Sequence, residues 1–287
     1  MNNLLGKIID TKMTDENEHY YFLQAEGVVF QLDKKEAVKP LHIGGHFQGF
    51  AYENEDHKLQ ITSVVPKIQV GRMGFGTVVQ SRRDLGVFVD IGLANKDMVV
   101  SLDELPSIKS LWPQKGDRLL ISLRIDQKNR MWGTLADEEV FHEISQKAPQ
   151  TMKNKNLQAT VYRLKLAGTL VITDDYYLGF IHPSERDQEP RLGQVVSARV
   201  IGIHPDGTLN LSLKPRSYEA IGDDAAMLLA LLQHSDSHVL PFTDKSSPEA
   251  IKNEFGISKG QFKRAVGHLL KAGVVVQEDG LLKLKEE

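Results

Sequence analysis

The chain has 287 residues, of which 41% are hydrophobic, so it is long enough to bury cores in two or more domains. It contains no cysteine, which excludes disulfides, thiol nucleophiles and cysteine-ligated zinc. No run of about 18 apolar residues occurs, and the first residues, MNNLLGKIID, lack the layout of a signal peptide. We therefore expect a cytoplasmic protein that does not associate with membranes.

The net charge of −3 does not by itself indicate a nucleic-acid-binding protein. Its distribution is more informative, because phosphates are attracted by local groups of Lys and Arg. Basic residues outnumber acidic ones by 11 to 7 in residues 66–135 and by 9 to 6 in residues 151–216. These two segments are where we expect nucleic acid to bind, although imbalances of this size also arise from random scatter of charge.

Residues 1–65 have the pattern of a small β barrel. Five candidate strands follow one another: GKIID, YYFLQA, GVVFQL, HFQGFAY and KLQITS. The acidic excess of this segment argues against a main role in phosphate binding. We predict a divergent barrel that spaces or orients the other domains, with Tyr20, Tyr21 and Phe22 as an alternative stacking surface.

Residues 66–136 predict a second barrel of five short strands. Alternating strands, glycine turns and one small helix follow in the order GTVVQSRRDLGVFVDIG, KDMVVSLDEL, GDRLLISLRID and NRMWGTL. Val89 lies on a strand face that we predict to be core, whereas Phe88 lies on the opposite face, close to Arg82 and Arg83. An aromatic ring beside cations suits stacking of unpaired bases. The alternative for Phe88 is a half-buried contact with a neighbouring domain.

Residues 137–156 show no strand alternation and predict a short helix followed by a polar linker. Residues 157–216 then repeat the barrel pattern. In this third barrel a leucine replaces the stacking phenylalanine. Tyr162 is a candidate replacement for the lost aromatic, with Arg163 and Lys165 as nearby cations.

The hydrophobic period changes to about 3.6 residues in the last part of the chain, which indicates helices. Residues 217–287 predict helix, helix, turn, helix and a hairpin that turns at Asp279 and Gly280, which is a winged-helix layout. The predicted buried stripe of the third helix comprises Phe262, Val266, Leu269 and Leu270, and the candidate nucleic-acid-binding cations are Lys259, Lys263, Arg264 and Lys271. Since this domain is net acidic, we favour auxiliary contact with RNA or protein over sequence-specific binding of DNA.

The second barrel resembles the S1 RNA-binding domain, a subtype of the oligonucleotide-binding (OB) fold, through the segments LGVFVDIG, VVSLDEL and GDRLLISLRID. The resemblance implies that Phe88 stacks on RNA and that Asp126 and Arg130 lie on the binding face, with Arg124 beside them. The chain lacks the second aromatic and the third-strand histidine that are common in this family. We therefore expect weaker and less base-selective binding than the full pattern gives.

In the third barrel, His182 takes the position of the S1-family histidine, and a turn histidine before Pro183 is the alternative. The order of three barrels and a winged helix resembles the conserved virulence factor B family. The predicted fold class is thus multidomain and mainly β: three tandem OB-fold (S1-like) five-stranded barrels followed by an α/β winged-helix domain. The resemblance implies a cytoplasmic RNA-binding regulator of gene expression, without a catalytic centre.

Nothing in the sequence indicates an enzyme or a cofactor. The glycines of GRMGFG do not have the spacing of a dinucleotide fingerprint, and no phosphate-binding loop is present. His42 and His46 lack a third ligand nearby, so we predict a glycine turn without a metal. We expect a monomer that binds single-stranded RNA. The alternatives are a winged-helix DNA-binding transcription regulator and a module that contacts proteins of the ribosome or RNA polymerase.

Overall fold

A computed structural model describes residues 4–215, 217–235 and 237–285 of the chain. It divides into two compact units, Met1–Leu213 and Lys214–Glu287. The first unit contains three closed five-stranded barrels, and the second contains helices and a three-stranded sheet. The predicted fold class, three β barrels followed by an α/β domain, is confirmed.

The three barrels share one topology. In each, the first strand pairs antiparallel with the second and the fourth, and the third strand runs parallel to the fifth. Barrel 1 consists of β1 (Lys7–Glu16), β2 (Tyr20–Ala25), β3 (Val28–Asp33), β4 (His46–Glu53) and β5 (Leu59–Thr62). Barrel 2 consists of β6 (Gly74–Arg82), β7 (Gly86–Asp90), β8 (Met98–Ser101), β9 (Arg118–Ile125) and β10 (Met131–Leu135). Barrel 3 consists of β11 (Asn156–Lys165), β12 (Gly168–Thr173), β13 (Leu178–Ile181), β14 (Val195–Ile203) and β15 (Leu209–Ser212).

Strand β7 shows how alternation and glycine position the open face of barrel 2. Val87 and Val89 are completely buried, whereas Phe88 between them is half-buried on the opposite face. Gly86 begins the strand at φ +137°, and a Cβ there would lie 2.0 Å from the carbonyl oxygen of Val100. Only glycine therefore lets β7 approach β8 so closely.

Barrels 1 and 2 are built on one continuous core. Leu5 and Leu23 of barrel 1 belong to the same buried cluster as Val89 and Ile121 of barrel 2. Because this apolar surface is shared, each of the two barrels stabilises the other.

The short helix predicted within residues 137–156 is α1 (Glu138–Ile144), whose first turn is capped by the side chain of Asp137. Phe141 of this helix is buried in a small cluster with Leu120 of barrel 2 and Ile172 of barrel 3. The helix therefore packs between the two barrels instead of only connecting them.

The second unit has the predicted winged-helix elements plus one short strand that the sequence pattern did not indicate. They are α2 (Ser217–His234), β16 (Val239–Leu240), α3 (Pro248–Phe255), α4 (Lys259–Lys271), β17 (Val275–Glu278) and β18 (Leu281–Leu284). Ser258 and Gln261 form a capping box at the start of α4. The predicted stripe is wrong at Leu270, which is 40% exposed, because the buried face of α4 follows the i, i+3, i+4, i+7 spacing of Phe262, Ala265, Val266 and Leu269.

Candidate nucleic-acid interface

The outward face of barrel 2 carries Phe88 as the sequence predicts. The Arg82 guanidinium lies 6.0 Å from the centre of the Phe88 ring and is also held by Asp84, with 2.7 Å between Nη2 and Oδ2. Arg83 is exposed and forms no ion pair within the part of the chain that the structure describes. Phe88 thus presents an accessible ring with a cation beside it, which is the arrangement that base stacking requires.

A second aromatic, Trp132, lies on the same barrel and was missed by the sequence prediction. It is directly opposite Arg124 in the ladder of β9 and β10, so the two side chains share one face. The guanidinium carbons of Arg124 and Arg130 lie 5.7 Å and 5.3 Å from the centre of the indole ring. The alternation in MWGTL could have identified Trp132 from the sequence, because it buries Met131 and Gly133 and leaves Trp132 facing outward.

The structure brings the predicted residues Asp126 and Arg130 together around this indole. One oxygen of Asp126 accepts hydrogen bonds from Arg130 Nε (2.7 Å) and Trp132 Nε1 (3.2 Å), and the other accepts them from the backbone N–H groups of Lys128 and Arg130. These hydrogen bonds, chiefly the one from the Arg130 backbone, hold the pKa of the Asp126 carboxyl well below its usual range. Asp126 is therefore a charged residue that positions Trp132 and Arg130.

Arg124 is fixed from its other side by polar groups of barrel 2. Its Nε donates to Thr134 Oγ1 at 3.0 Å, and Nη2 lies 3.8 Å from a carboxylate oxygen of Glu104. Glu104 also accepts hydrogen bonds from the Thr134 hydroxyl and the Leu135 backbone. The cationic head of Arg124 is thus held beside Trp132.

The outward face of barrel 3 has a different set of side chains. Leu170 is opposite Phe180 of β13, so the aromatic is displaced by one strand relative to barrel 2. His182 is exposed and packs edge-on to Phe180, with 6.4 Å between the ring centres. Its Nδ1 also accepts the Ser184 backbone N–H at 3.2 Å and so caps a turn. His182 therefore has the turn role that was the alternative, and its contact with nucleic acid stays a prediction. Phe180 is a second aromatic that the sequence prediction missed.

The predicted RNA-binding group of β11 is engaged with helix α1. The Tyr162 ring stacks on Phe141 with 3.9 Å between ring centres, and burial, followed by the nearby Glu138 charge, raises the pKa of Tyr162 to about 12. Arg163 and Lys165 both form ion pairs with Glu138, at 3.5 and 2.7 Å. Tyr162 therefore differs from the free outward aromatic that the alternation predicts, because α1 covers one face of its ring.

A cleft of about 480 Å³ lies between barrels 2 and 3. Glu104 and Leu135 line it from barrel 2, and Tyr162 and Arg163 line it from barrel 3. Since Glu104 also contacts Arg124, the cleft continues from the group of side chains around Trp132.

Barrel 2 covers the part of the outward face of barrel 1 that lies on β4 and β5, while the outward side chains of β2 stay partly exposed. Tyr52 donates a hydrogen bond from its hydroxyl to Asn95 of barrel 2 at 2.8 Å, and the Asn95 amide donates to Gln60 at 3.0 Å. Burial raises the pKa of Tyr52 to about 12. Tyr21, one of the alternative stacking residues, is 6% exposed and part of the core. Barrel 1 thus uses this face to hold barrel 2.

Helix α4 of the second unit carries the four predicted cations away from its buried stripe. Lys263, Arg264 and Lys271 are exposed, and Lys259 is half-buried in the first turn. None of these four side chains forms an ion pair among residues 4–215, 217–235 and 237–285. They are therefore available to phosphates without displacing a carboxylate.

Among the described residues, no group of three or more His, Cys, Asp or Glu side chains is arranged to hold a metal ion. His42 lies in a tight turn closed by a hydrogen bond from the Gly45 backbone, and His46 begins β4. No helix in the described part of the chain is long and apolar enough to cross a membrane.

Four family models match successive parts of the chain. They are described as an S1 domain (residues 5–63), the first S1-like domain of CvfB (73–134), the second domain of the virulence regulatory factor CvfB (141–215) and a CvfB-like winged-helix domain (226–284).

Similar proteins are found in several bacteria. Conserved virulence factor B of Staphylococcus aureus strain N315 is 40% identical over 248 residues, which cover 86% of this chain and 82% of that protein. The uncharacterized protein YitL of Bacillus subtilis strain 168 is 38% identical over 96% of this chain and 92% of its own length. A crystal structure of a multidomain protein with nucleic-acid-binding domains from Streptococcus pneumoniae is 48% identical, covers 99% of both chains and superposes with a TM-score of 0.72.

S1-like barrels followed by a winged helix define a protein assembled from nucleic-acid-binding modules, and these modules are not enzymatic domains. The identity to the staphylococcal proteins extends over most of the chain. The chain belongs to the conserved virulence factor B (CvfB) family of virulence-regulatory proteins.

Proposed function

We propose that this protein is a cytoplasmic regulator that binds single-stranded RNA and acts on gene expression after transcription. Barrel 2 provides the main binding face. The observation that carries the proposal is the accessible Phe88 ring beside Arg82 and Arg83, on a barrel that the family models describe as S1-like. A ring of this kind stacks on unpaired bases, which a duplex does not offer.

The remaining candidate site residues contribute to RNA binding through their charge and their position. In barrel 2 these are Arg124, Asp126 and Arg130; in barrel 3 they are Tyr162, Arg163, Lys165 and His182; and in the winged helix they are Lys259, Lys263, Arg264 and Lys271. Ion pairs hold most of the barrel cations, but an exposed ion pair contributes only about 0–1 kcal/mol. Phosphates therefore compete for these cations at modest cost.

We infer that each domain makes a different contribution. Barrel 2 is oriented by residues 1–65. The RNA strand is bound by residues 66–136 and 157–216, and these two barrels are held together by residues 137–156. Binding of longer RNA is assisted by residues 217–287. The protein acts as a monomer without cofactor or metal. Ribosome or RNA polymerase contacts are a secondary interpretation, favoured only by the exposed apolar residues of barrel 1 such as Val38 and Ile43.

The second candidate function is binding of duplex DNA through the winged helix. It is favoured by the cations of α4, which form no ion pair among the residues that the structure describes. The corresponding helix enters the major groove in DNA-binding winged-helix proteins. The net acidic charge of residues 217–287, with 8 basic against 11 acidic side chains, counts against it.

A competition experiment separates the two functions. A labelled single-stranded oligouridylate is bound to the full chain and challenged with unlabelled single-stranded RNA, the same sequence paired as duplex RNA, or duplex DNA. We expect single-stranded RNA to displace the probe at the lowest concentration and binding to weaken as salt rises. Preferential displacement by duplex DNA would reject the proposed function in favour of the second candidate.

A further inference from the structure

The indole of Trp132 lies on the same barrel face as Phe88, two strands away. Phe88 is opposite Val99 of β8, and Val100 of β8 is opposite Gly133 of β10. Strands β8 and β10 are parallel, and Val99 and Trp132 each precede the paired residues Val100 and Gly133 by one position. The side chains of Val99 and Trp132 therefore point to the same face. Two strand spacings separate Phe88 from Trp132, which is about 10 Å. The two rings are therefore neighbours on one surface with Val99 between them.

The Trp132 cluster, which we define as Trp132, Arg124, Asp126 and Arg130, is not part of the hydrophobic core. Trp132 keeps part of its surface exposed, while its neighbours Met131 and Gly133 are buried. A tryptophan that serves only for packing is expected to be more fully enclosed, as Trp112 of the same barrel is, at 6% exposure.

The Trp132 cluster is also held in place before any ligand arrives. Asp126 fixes the indole N–H and the Arg130 guanidinium, and Thr134 fixes Arg124. Fixed side chains lose little conformational entropy on binding, which raises affinity. Two guanidinium groups beside one ring also supply positive charge where the phosphates of a stacked nucleotide lie.

We propose that the Trp132 cluster is a second binding site for an unpaired nucleobase, so that barrel 2 holds two bases of one RNA strand, one on Phe88 and one on Trp132. The base stacks on the indole, and Arg124 and Arg130, held beside the ring, contact its flanking phosphates. This inference rests on the proposed binding of single-stranded RNA. It explains how a barrel without the second aromatic of the S1 pattern retains two stacking positions.

The chain contains two tryptophans, which permits a direct optical test. In the full-length Trp112→Phe variant, Trp132 is the sole source of tryptophan fluorescence. A fluorescein-labelled single-stranded oligouridylate of about ten nucleotides reports binding independently by its anisotropy. We expect the Trp132 emission to be quenched with the same midpoint as the anisotropy change. The matched Trp132→Phe variant, which retains only the enclosed Trp112, should bind the RNA with unchanged emission.

Substitution of the ring provides the second measurement. Trp132→Ala should weaken binding of the oligouridylate by about 5- to 100-fold, because a stacked base is lost, whereas Trp132→Phe should retain most of the affinity. If the oligouridylate binds but Trp132 emission is unchanged and Trp132→Ala binds within twofold of the original chain, the second site is rejected and the proposed function stands. If the original chain does not bind the oligouridylate at all, both are rejected. Should Trp132→Ala fail to fold, the emission of the Trp112→Phe variant decides the question.

Discussion

Two consecutive residues of β7 separate the proposed binding surface of barrel 2 from its core. Val89 has no exposed surface and joins the cluster shared by barrels 1 and 2, while Phe88 faces outward beside Arg82. The same strand thus carries one side chain whose burial stabilises the fold and one that is available to a ligand.

Substitutions at these two positions should have opposite effects. Phe88→Ala is expected to weaken binding of single-stranded RNA by about 1–3 kcal/mol with little change in the melting temperature. Val89→Ala is expected to lower the free energy of unfolding by about 2 kcal/mol while the folded fraction still binds RNA. Anisotropy titrations and thermal melting of the full chain measure both quantities. If Phe88→Ala destabilises the protein as much as Val89→Ala, then Phe88 belongs to the core and the proposed stacking is wrong.

The pKa of Asp126 predicts how the Trp132 cluster responds to acid. The pKa of Asp126 is lower in the folded protein than its value of about 3.9 in the unfolded chain. The ionised carboxyl therefore stabilises the fold fully at pH values above the unfolded pKa, and this stabilisation is lost as the pH falls through the folded pKa. The hydrogen bond to Trp132 should therefore be constant from pH 8 to pH 5. We expect the emission maximum of Trp132, measured in the Trp112→Phe variant without RNA, to be constant over that range and to shift only below about pH 4. Asp126→Asn is the control, and its emission should not shift on acidification; a shift centred near pH 6 would contradict this role of Asp126.

The strands and helices could largely be predicted from the sequence, because alternation and helical periodicity are local properties. All five strands of each barrel, α3, α4 and the final hairpin were predicted. Trp132 was not recognised, because its partners Arg124 and Asp126 become visible only when the register of β9 with β10 is known. Tyr162 faces outward as predicted, but the sequence pattern gave no indication that α1 would cover its ring.

Helix α4 should matter only when the RNA is long. Its four candidate cations form no ion pair within the described part of the chain, whereas most of the candidate cations of the barrels are held in ion pairs. A strand already held by the barrels meets α4 at a high effective concentration if it is long enough to span both units.

Lys263→Ala combined with Arg264→Ala tests this contribution. We expect unchanged binding of single-stranded RNA of about 12 nucleotides and weaker binding of RNA of roughly 30 nucleotides. With the longer RNA, the slope of log affinity against log salt should decrease by about 0.7 for each phosphate contact that is lost. Lys252→Ala, which removes an exposed cation from α3, serves as the matched control. Equal loss of affinity at both lengths would show that α4 binds independently of strand length.

The domains differ in how separable they are. Barrels 1 and 2 share a core, and α1 packs between barrels 2 and 3, so removing residues 1–65 would expose apolar surface that is buried in the full chain. The second unit begins at Lys214 and has its own core around Leu228 and Phe262. This difference explains why a divergent, acidic first barrel remains useful in a protein whose proposed RNA-binding face lies on the second.

Photo-cross-linking of the full chain locates the bound strand. An oligouridylate containing 5-bromouridine is bound, irradiated and digested, and the cross-linked peptides are identified by mass spectrometry. We expect cross-links at Phe88 and Trp132 of barrel 2, with weaker ones at Phe180 of barrel 3, and their loss when unlabelled single-stranded RNA is added in excess. Cross-links confined to barrel 1 or to helix α4 would contradict the conclusion that the strand stacks on the open face of barrel 2.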